Sequence, residues 1–299
     1  MPLRSALLAL SVVLVWGVNF VVIDEGLHGI PPLLFAAVRF VLVAFPAVLL
    51  VPRPDVPWTS IARVGLSISA GQFAFLYLAL KAGMPAGLAS LVLQSQVVVT
   101  VVLAALLLHE HVTRQQVVGL VTGVAGLAVV GLGRSAATPA LGVVLTVLAA
   151  SSWALGNVET RRLALRSGLP LVVWSAVVVP IPLLVLSLVV EGPTAWGDAW
   201  QAWGWRQTAS TAYTVVLSTL YGYGVWNGLL ARHPASRVVP FALLVPVVGI
   251  SAAWLVQGTH PGALEFAGGA VLLLGAAVTL FAPAKVAPRE LGQELAGEA

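Results

Sequence analysis

The chain has 299 residues, 59% of them hydrophobic and only 9% charged, and its mean hydropathy is +1.00. An average soluble domain carries about 25% charged residues, so this composition cannot build a water-soluble surface and reads as an integral membrane protein. Cysteine is absent, which removes disulfides and thiol chemistry, and the net charge of +4 is explained by where the basic residues fall rather than by an anionic or nucleic-acid partner.

Ten stretches are apolar over about the 20 residues that a helix needs to cross ~30 Å of hydrocarbon: 5–23, 33–51, 62–80, 86–108, 115–132, 140–158, 171–190, 210–230, 236–256 and 263–281. They are continuously apolar rather than alternating, which predicts helices and not barrel strands. The first follows Arg4 and runs into Trp16-Gly17-Val18-Asn19-Phe20 with no small-x-small cleavage site, so it reads as a retained span. Trp16 and Asn19 share one of its faces. The second carries Arg39, the one formal charge inside a span, at an insertion cost of roughly 2.5–3.5 kcal/mol near the bilayer centre. Arg39 either binds a substrate carboxylate or acts as a structural tether to backbone carbonyls or to the Asp24-Glu25 loop.

The third span offers Gln72 and Tyr77. The fourth has two stripes, Ser90 with Gln94 and Gln96 with Thr100, on nearly opposite faces, so only one of them can face a central cavity. Gly119, Gly123 and Gly126 in the fifth span, with Gly268, Gly269 and Gly275 in the tenth, predict close backbone approach within a scaffold. The sixth span repeats an indole beside an amide, Trp153 and Asn157. Pro46, Pro180 with Pro182, and Pro240 with Pro246 predict kinks in the second, seventh and ninth spans, where freed carbonyls suit a gate. The connection 191–209 holds Trp196, Trp200, Trp203 and Trp205, an expected interfacial anchor. The eighth span brings Tyr221, Tyr223, Trp226 and Asn227 around Gly222 and Gly224. The polar tail ending in Glu290, Glu294 and Glu298 reads as a short frayed segment.

Polar groups inside a bilayer are costly and usually face the bundle interior or a wet cavity. Any one of them is accounted for by a hydrogen bond to a neighbouring helix, worth about 0.6 kcal/mol on average. Together they outline a substrate site of Trp16, Asn19, Arg39, Gln72, Tyr77, Gln94, Gln96, Trp153, Asn157, Tyr221 and Tyr223. Neutral donors and acceptors dominate it, which suits a small zwitterion or uncharged metabolite better than a phosphate. No Asp or Glu is predicted mid-span and every His lies in a connection, so tight proton coupling is not expected. No cofactor is called for. The sole enzyme-like constellation, His109-Glu110-His111 with His233, lacks a shared helix face and a completing metal ligand. A passive channel needs a continuous polar path rather than a localised site.

Pro85-Ala86, His111, Gly119 and Gly126 recur 149 positions later as Pro234-Ala235, His260, Gly268 and Gly275. The chain therefore divides into a five-span repeat at 1–136, a second at 137–284 and a polar tail at 285–299. A duplicated unit with an odd number of spans inserts its second copy upside down, as in many secondary transporters. With the N-terminus in the cytoplasm, Arg4, Arg53, Arg63, Arg114, Arg161, Arg162, Arg166, Arg232, Arg237, Lys285 and Arg289 fall inside, against Lys81, Arg134 and Arg206 outside. The predicted fold is all-α integral membrane, with ten transmembrane helices as two inverted five-helix repeats and both termini cytoplasmic.

Leu14-Val15-Trp16-Gly17-Val18-Asn19-Phe20, Pro32 followed by Arg39-Phe40, Gly83-Met84-Pro85-Ala86-Gly87-Leu88-Ala89-Ser90, Glu110 and Leu244-Val245-Pro246-Val247-Val248-Gly249 together resemble the EamA-type permeases of the drug/metabolite transporter superfamily. Phe20-Val21-Val22-Ile23, Gly26-Leu27-His28, Val41 to Pro46 and Met84 to Gln94 bring the chain nearer to the bacterial exporters of O-acetylserine and cysteine. The resemblance implies an inner-membrane exporter of small amino-acid metabolites, surrounded by lipid, that works by alternating access through a cavity between the repeats. A carrier of drugs or other metabolites from the same superfamily is the alternative. One departure is Gly258-Thr259, where relatives repeat the acidic residue after the fourth span, so Glu110 has no symmetric twin and the two gates are expected to differ in stability.

Overall fold

The computed structural model describes residues 2–109, 111–133, 139–163, 169–233 and 235–281. Glu110, Arg134, Arg166, Pro234, Lys285, Arg289, the seam between the repeats at 136/137 and the polar tail lie outside the described residues. All regular structure among the described residues is helical. The long helices are α1 (Leu3–Gly26), α2 (Pro32–Leu50), α3 (Trp58–Lys81), α4 (Ala86–Leu108), α5 (Arg114–Gly133) and α6 (Ala140–Leu163), each long and apolar enough to cross a membrane. Then come α7, a pair of segments Leu169–Val177 and Pro180–Val190 bent by 43°, and α8, which runs without a break through Trp205–Ala212, Tyr213–Tyr221 and Gly222–Arg232. The last two, α9 (Val239–Gln257) and α10 (Ala263–Leu280), complete eight spanning helices among the described residues, or nine with α7 as one bent span. Thr214, Ser218, Thr219 and Asn227 leave α8 less apolar than its neighbours, so hydropathy does not mark it as a span.

Neighbours follow a symmetric scheme. Helix α1 packs on α9 and on α8, α6 packs on α4 and on α3, α2 lies beside α7, and α5 runs along α10. Exchanging each helix with the one five places away maps this set onto itself, as duplication of a five-helix unit would. The irregular backbone obeys the same rule. Widened π turns occupy Gly65–Gly71 of α3 and Tyr213–Tyr221 of α8, and α4 is interrupted between Val92 and Ser95 where α9 begins as the 3-10 turn Val239–Leu244. Prolines sit at these breaks as expected: Pro240 in the 3-10 turn, Pro180 after the bend of α7, and Pro46 between Ala44 and Ala47 in α2.

The α5–α10 seam is built on glycine. A Cβ on Gly126 would lie 2.7 Å from the Gly268 carbonyl oxygen, and one on Gly275 would lie 2.6 Å from that of Gly119, so the two backbones touch directly. Elsewhere a carboxylate joins the halves. Glu191, at the end of α7, accepts the Leu33 and Leu34 N–H groups at 2.7 and 3.2 Å, and the Ser187 hydroxyl at 2.5 Å. The first N–H groups of any helix lack intrahelical partners and carry partial positive charge, which a carboxylate satisfies on both counts. Glu191→Ala is therefore expected to lower stability by about 0.5–2 kcal/mol, read as a lower melting midpoint in detergent. An unchanged midpoint would mean that water caps α2 equally well. Of the four tryptophans after α7, Trp200 and Trp205 are 83% and 77% exposed, the orientation of an interfacial anchor. The other two turn inward: Trp196 donates to Ser187 Oγ at 2.9 Å, and Trp203 packs edge-on against Phe35.

Candidate functional site

The π turns of α8 organise a polar cluster around the buried Arg39, Tyr77 and Thr219. A π turn bonds each residue to the fifth along and widens the helix, so carbonyls and hydroxyls become available to other helices. Trp16 of α1 donates its indole N–H to the Ser218 carbonyl at 3.0 Å. Only glycine at 222 permits this, since a Cβ there would lie 2.5 Å from the indole nitrogen. The Trp16 ring rests against Tyr223 and Trp226, with centroids 5.4 and 5.2 Å away. The adjacent Thr219 hydroxyl donates to the Thr214 carbonyl at 2.8 Å and accepts from Arg39 Nη2 at 2.9 Å. Arg39 Nη1 donates to Tyr77 Oη at 3.2 Å, and the guanidinium carbon stands 4.1 Å from the Phe73 ring centroid and 5.4 Å from that of Phe40.

Arg39 is 2% exposed, and among the described residues no carboxylate pairs with it. Of the two roles left open for it, the tether to backbone carbonyls or to the Asp24-Glu25 loop is not formed. Asp24 instead accepts from Gln257 at 2.7 Å and Glu25 lies 3.7 Å from Arg206, because α1 ends against α9 and the start of α8. The cation is held by neutral hydroxyls and aromatic faces, contacts worth about 0.5–2 kcal/mol apiece.

A second cluster lies where α4 meets α6 and α9. In the 3-10 turn of α9 the Ala242 carbonyl accepts the Val245 N–H and, at 3.0 Å, Gln94 Nε2 as well. Gln96 Oε1 accepts from Asn157 Nδ2 at 3.0 Å, and the Thr100 hydroxyl donates to the Gln96 carbonyl at 2.6 Å. The break in α4 lets both expected stripes find protein partners, Gln94 on α9 and Gln96 on α6. On the symmetric side of the molecule, the Ser152 hydroxyl of α6 donates to the Ser67 carbonyl of the α3 π turn at 2.8 Å, as Trp16 of α1 does to that of α8.

Of the eleven residues singled out in the sequence, Arg39 and Tyr77 thus join Trp16 and Tyr223 through the neighbouring Ser218 and Thr219, and Gln96 meets Asn157. Tyr221 is drawn to the Ser11 hydroxyl at 2.7 Å, and Gln94 to α9. Asn19 and Gln72 are 6% and 4% exposed, and the side-chain oxygen of each has no partner among the described residues. Trp153 is half-buried against the core. Sequence reasoning missed Phe73, Ser218 and Thr219, and marked Gly222 only as a glycine amid the polar groups of the eighth span. A Ser-Thr pair in a membrane helix ordinarily bonds back to its own carbonyls, as the Thr219 hydroxyl does to Thr214, so nothing marked that hydroxyl as an acceptor for Arg39 or the Ser218 backbone carbonyl as one for Trp16. An apolar groove between α4, α9 and α10, lined by Leu91, Pro246, Val247, Ile250, Phe266 and Leu273, contains none of the eleven.

Two stretches of the chain, 3–132 and 140–281, match the EamA-like transporter family. A Salmonella typhimurium (strain LT2) protein bearing the name "Probable amino-acid metabolite efflux pump" is 42% identical over 287 residues, covering 94% of this chain and 96% of the relative. A protein of the same name from Escherichia coli (strain K12) is 41% identical over 289 residues, with 94% and 96% coverage. One solved crystal structure superposes with a TM-score of 0.60 over 93% of this chain and 96% of that chain at 21% identity, a likeness of fold alone.

Proposed function

The chain belongs to the EamA-like transporter family and is a multi-pass membrane transporter, and from that premise we propose that it exports small amino-acid metabolites across a bacterial plasma membrane by alternating access. The observation that carries this reading is the buried cluster of Trp16, Arg39, Tyr77 and Tyr223, built from α1, α2, α3 and α8, with the unpartnered Asn19 and Gln72 oxygens on the same helices. Neutral groups around one fixed cation suit a cysteine- or O-acetylserine-like zwitterion. The Gln96–Asn157 pair and Trp153 belong to the proposed cavity on the α6 side. Gln94 and Tyr221 serve the helix contacts that frame it.

In this reading α8 also crosses the membrane and brings the spans to ten, and the repeats 1–136 and 137–284 are inverted, with both termini cytoplasmic. The exchange symmetry of helix neighbours and the distribution of basic residues support it. Contacts between the halves then belong to opposite membrane faces. Asp24–Gln257, Glu25–Arg206 and Glu191 on α2 lie at the outer end, while Arg162 donating to the Leu107 carbonyl at 2.9 Å and His233 beside Ser5 lie at the inner end. Alternating access requires these two sets to open in turn.

Every described Asp and Glu sits at a helix end or in a connection, so transport is proposed to run without tight proton coupling. Purified protein in proteoliposomes is expected to give saturable, counterflow-stimulated uptake of L-cysteine or O-acetyl-L-serine. Uptake linear in concentration and indifferent to internal solute would indicate a channel. With the solute gradient retained, a protonophore is expected to leave the rate within about twofold. Abolition of uptake would contradict the uncoupled mechanism.

A further inference from the structure

We infer that Arg39 is the docking charge for the carboxylate of the transported solute, an inference that rests on the amino-acid export reading above. The guanidinium is an uncompensated cation in the protein interior: it is 2% exposed, and among the described residues it forms no ion pair. A buried charge is retained against its desolvation only when something compensates it. Two of its five N–H donors are taken, by Tyr77 Oη and Thr219 Oγ1, and Nε has no partner. Both partners are neutral hydroxyls at 3.2 and 2.9 Å, so they release the guanidinium without separating opposite charges.

The aromatic contact sets the direction of approach. With the Phe73 ring against the guanidinium at 4.1 Å and Tyr77 and Thr219 on its two terminal nitrogens, Nε is the one nitrogen without a partner, and a carboxylate gains two parallel hydrogen bonds there by displacing a neutral hydroxyl. Those bonds are stronger than the hydroxyl contacts they replace. Thr219 lies in the π turn of α8, next to the Ser218 carbonyl that holds Trp16, so carboxylate capture on Arg39 is mechanically linked to the α1–α8 contact. A guanidinium attracts an anion through its charge and its planar fork of N–H donors. A carboxylate is therefore required of the solute, whereas the rest of the molecule meets aromatic and amide groups and is read less strictly.

The test is counterflow of labelled L-cysteine under reducing conditions, with 3-mercaptopropionate and cysteamine as competitors, which lack the ammonium and the carboxylate respectively. In the unaltered protein 3-mercaptopropionate is expected to compete at least about tenfold better than cysteamine. Arg39→Gln is expected to reduce exchange at least about tenfold and to erase that preference. Arg39→Lys, which keeps the charge but not the fork, is expected to retain the preference at a raised KM. If Arg39→Gln does not fold, the competitor ratio in the unaltered protein and the Arg39→Lys kinetics still decide. Cysteine exchange with equal competition by the two analogues, or with full activity in folded Arg39→Gln, overturns this inference and leaves the export reading standing. No exchange of cysteine, O-acetylserine or a panel of amino acids by the unaltered protein overturns both.

Discussion

Replacing Gly126 by valine is expected to remove most of the folded protein from the membrane. At that position a Cβ would meet the Gly268 carbonyl oxygen at 2.7 Å and press closer still on the Leu272 nitrogen, while one on Gly268 would reciprocally meet the Val130 nitrogen at 2.6 Å. These are backbone atoms on both sides, so no rotamer change relieves the clash and α5 must move away from α10 along the seam. Overpacking of this kind costs about 1–3 kcal/mol in a soluble core and more where backbone meets backbone. In lipid the loss is not offset by hydrophobic re-burial, because helix association there depends on close van der Waals contact. Gly131, on the same helix, has open space where a Cβ would stand, with no atom within 4 Å, so Gly131→Ala provides a control expected to behave as the unaltered protein. The measurement is the monodisperse fraction on size-exclusion chromatography after detergent extraction. A normal profile for Gly126→Val would show that the close seam is dispensable.

Asn19→Ala and Asn157→Ala are each expected to reduce transport at least about tenfold, for reasons that separate in their effect on folding. Asn19 is 6% exposed and its side-chain oxygen has no protein partner among the described residues, so removing it leaves no new orphan and folding is expected to be unaffected. Its loss is felt only by whatever that oxygen binds during transport. Asn157 donates to Gln96 Oε1 at 3.0 Å, and its removal leaves that acceptor only the long 3.5 Å contact from the Thr100 hydroxyl, so a stability loss of about 1 kcal/mol is expected beside the transport defect. Flux per folded molecule, from counterflow divided by the monodisperse amount, distinguishes the two effects. Normal flux in both variants refutes a shared central site. Normal flux in Asn157→Ala alone confines the site to α1, α2, α3 and α8 and makes the Gln96 pair a strut between α4 and α6.

Much of the fold was legible because it depends on quantities that add along the chain. The glycines at 119, 123, 126, 268 and 275 could be assigned to a scaffold seam from spacing alone, and the prolines to breaks, because each acts through its own backbone. The candidate residues were named one by one in the sequence, but which of them meet was not. Trp16 and Tyr223 meet, and Arg39 and Tyr77 meet, whereas the two stripes of α4 each find a protein partner, Gln94 on α9 and Gln96 on α6. Arg39 stood out as the one charge within a span; of the two roles left open for it, the tether to backbone carbonyls or to the Asp24-Glu25 loop is not formed, and its terminal nitrogens meet Tyr77 and Thr219.

By itself the sequence determined membrane residence, the helical class, the duplication at an offset of 149 residues and the identity of the costly intramembrane groups, since hydropathy, charge and repetition need no knowledge of neighbours. Only the tertiary structure decided which of those groups face one another. Each residue of an α-helix advances the side-chain direction by about 100°, so the extra residue of a π turn or the break in α4 rotates everything beyond it to a new face. Packing against α1, α2 and α9 stabilises those irregular turns, and no local propensity in α8 or α4 announces them. The meeting of Trp16 with Ser218, of Arg39 with Thr219 and of Gln94 with the Ala242 carbonyl is therefore a property of the assembled bundle.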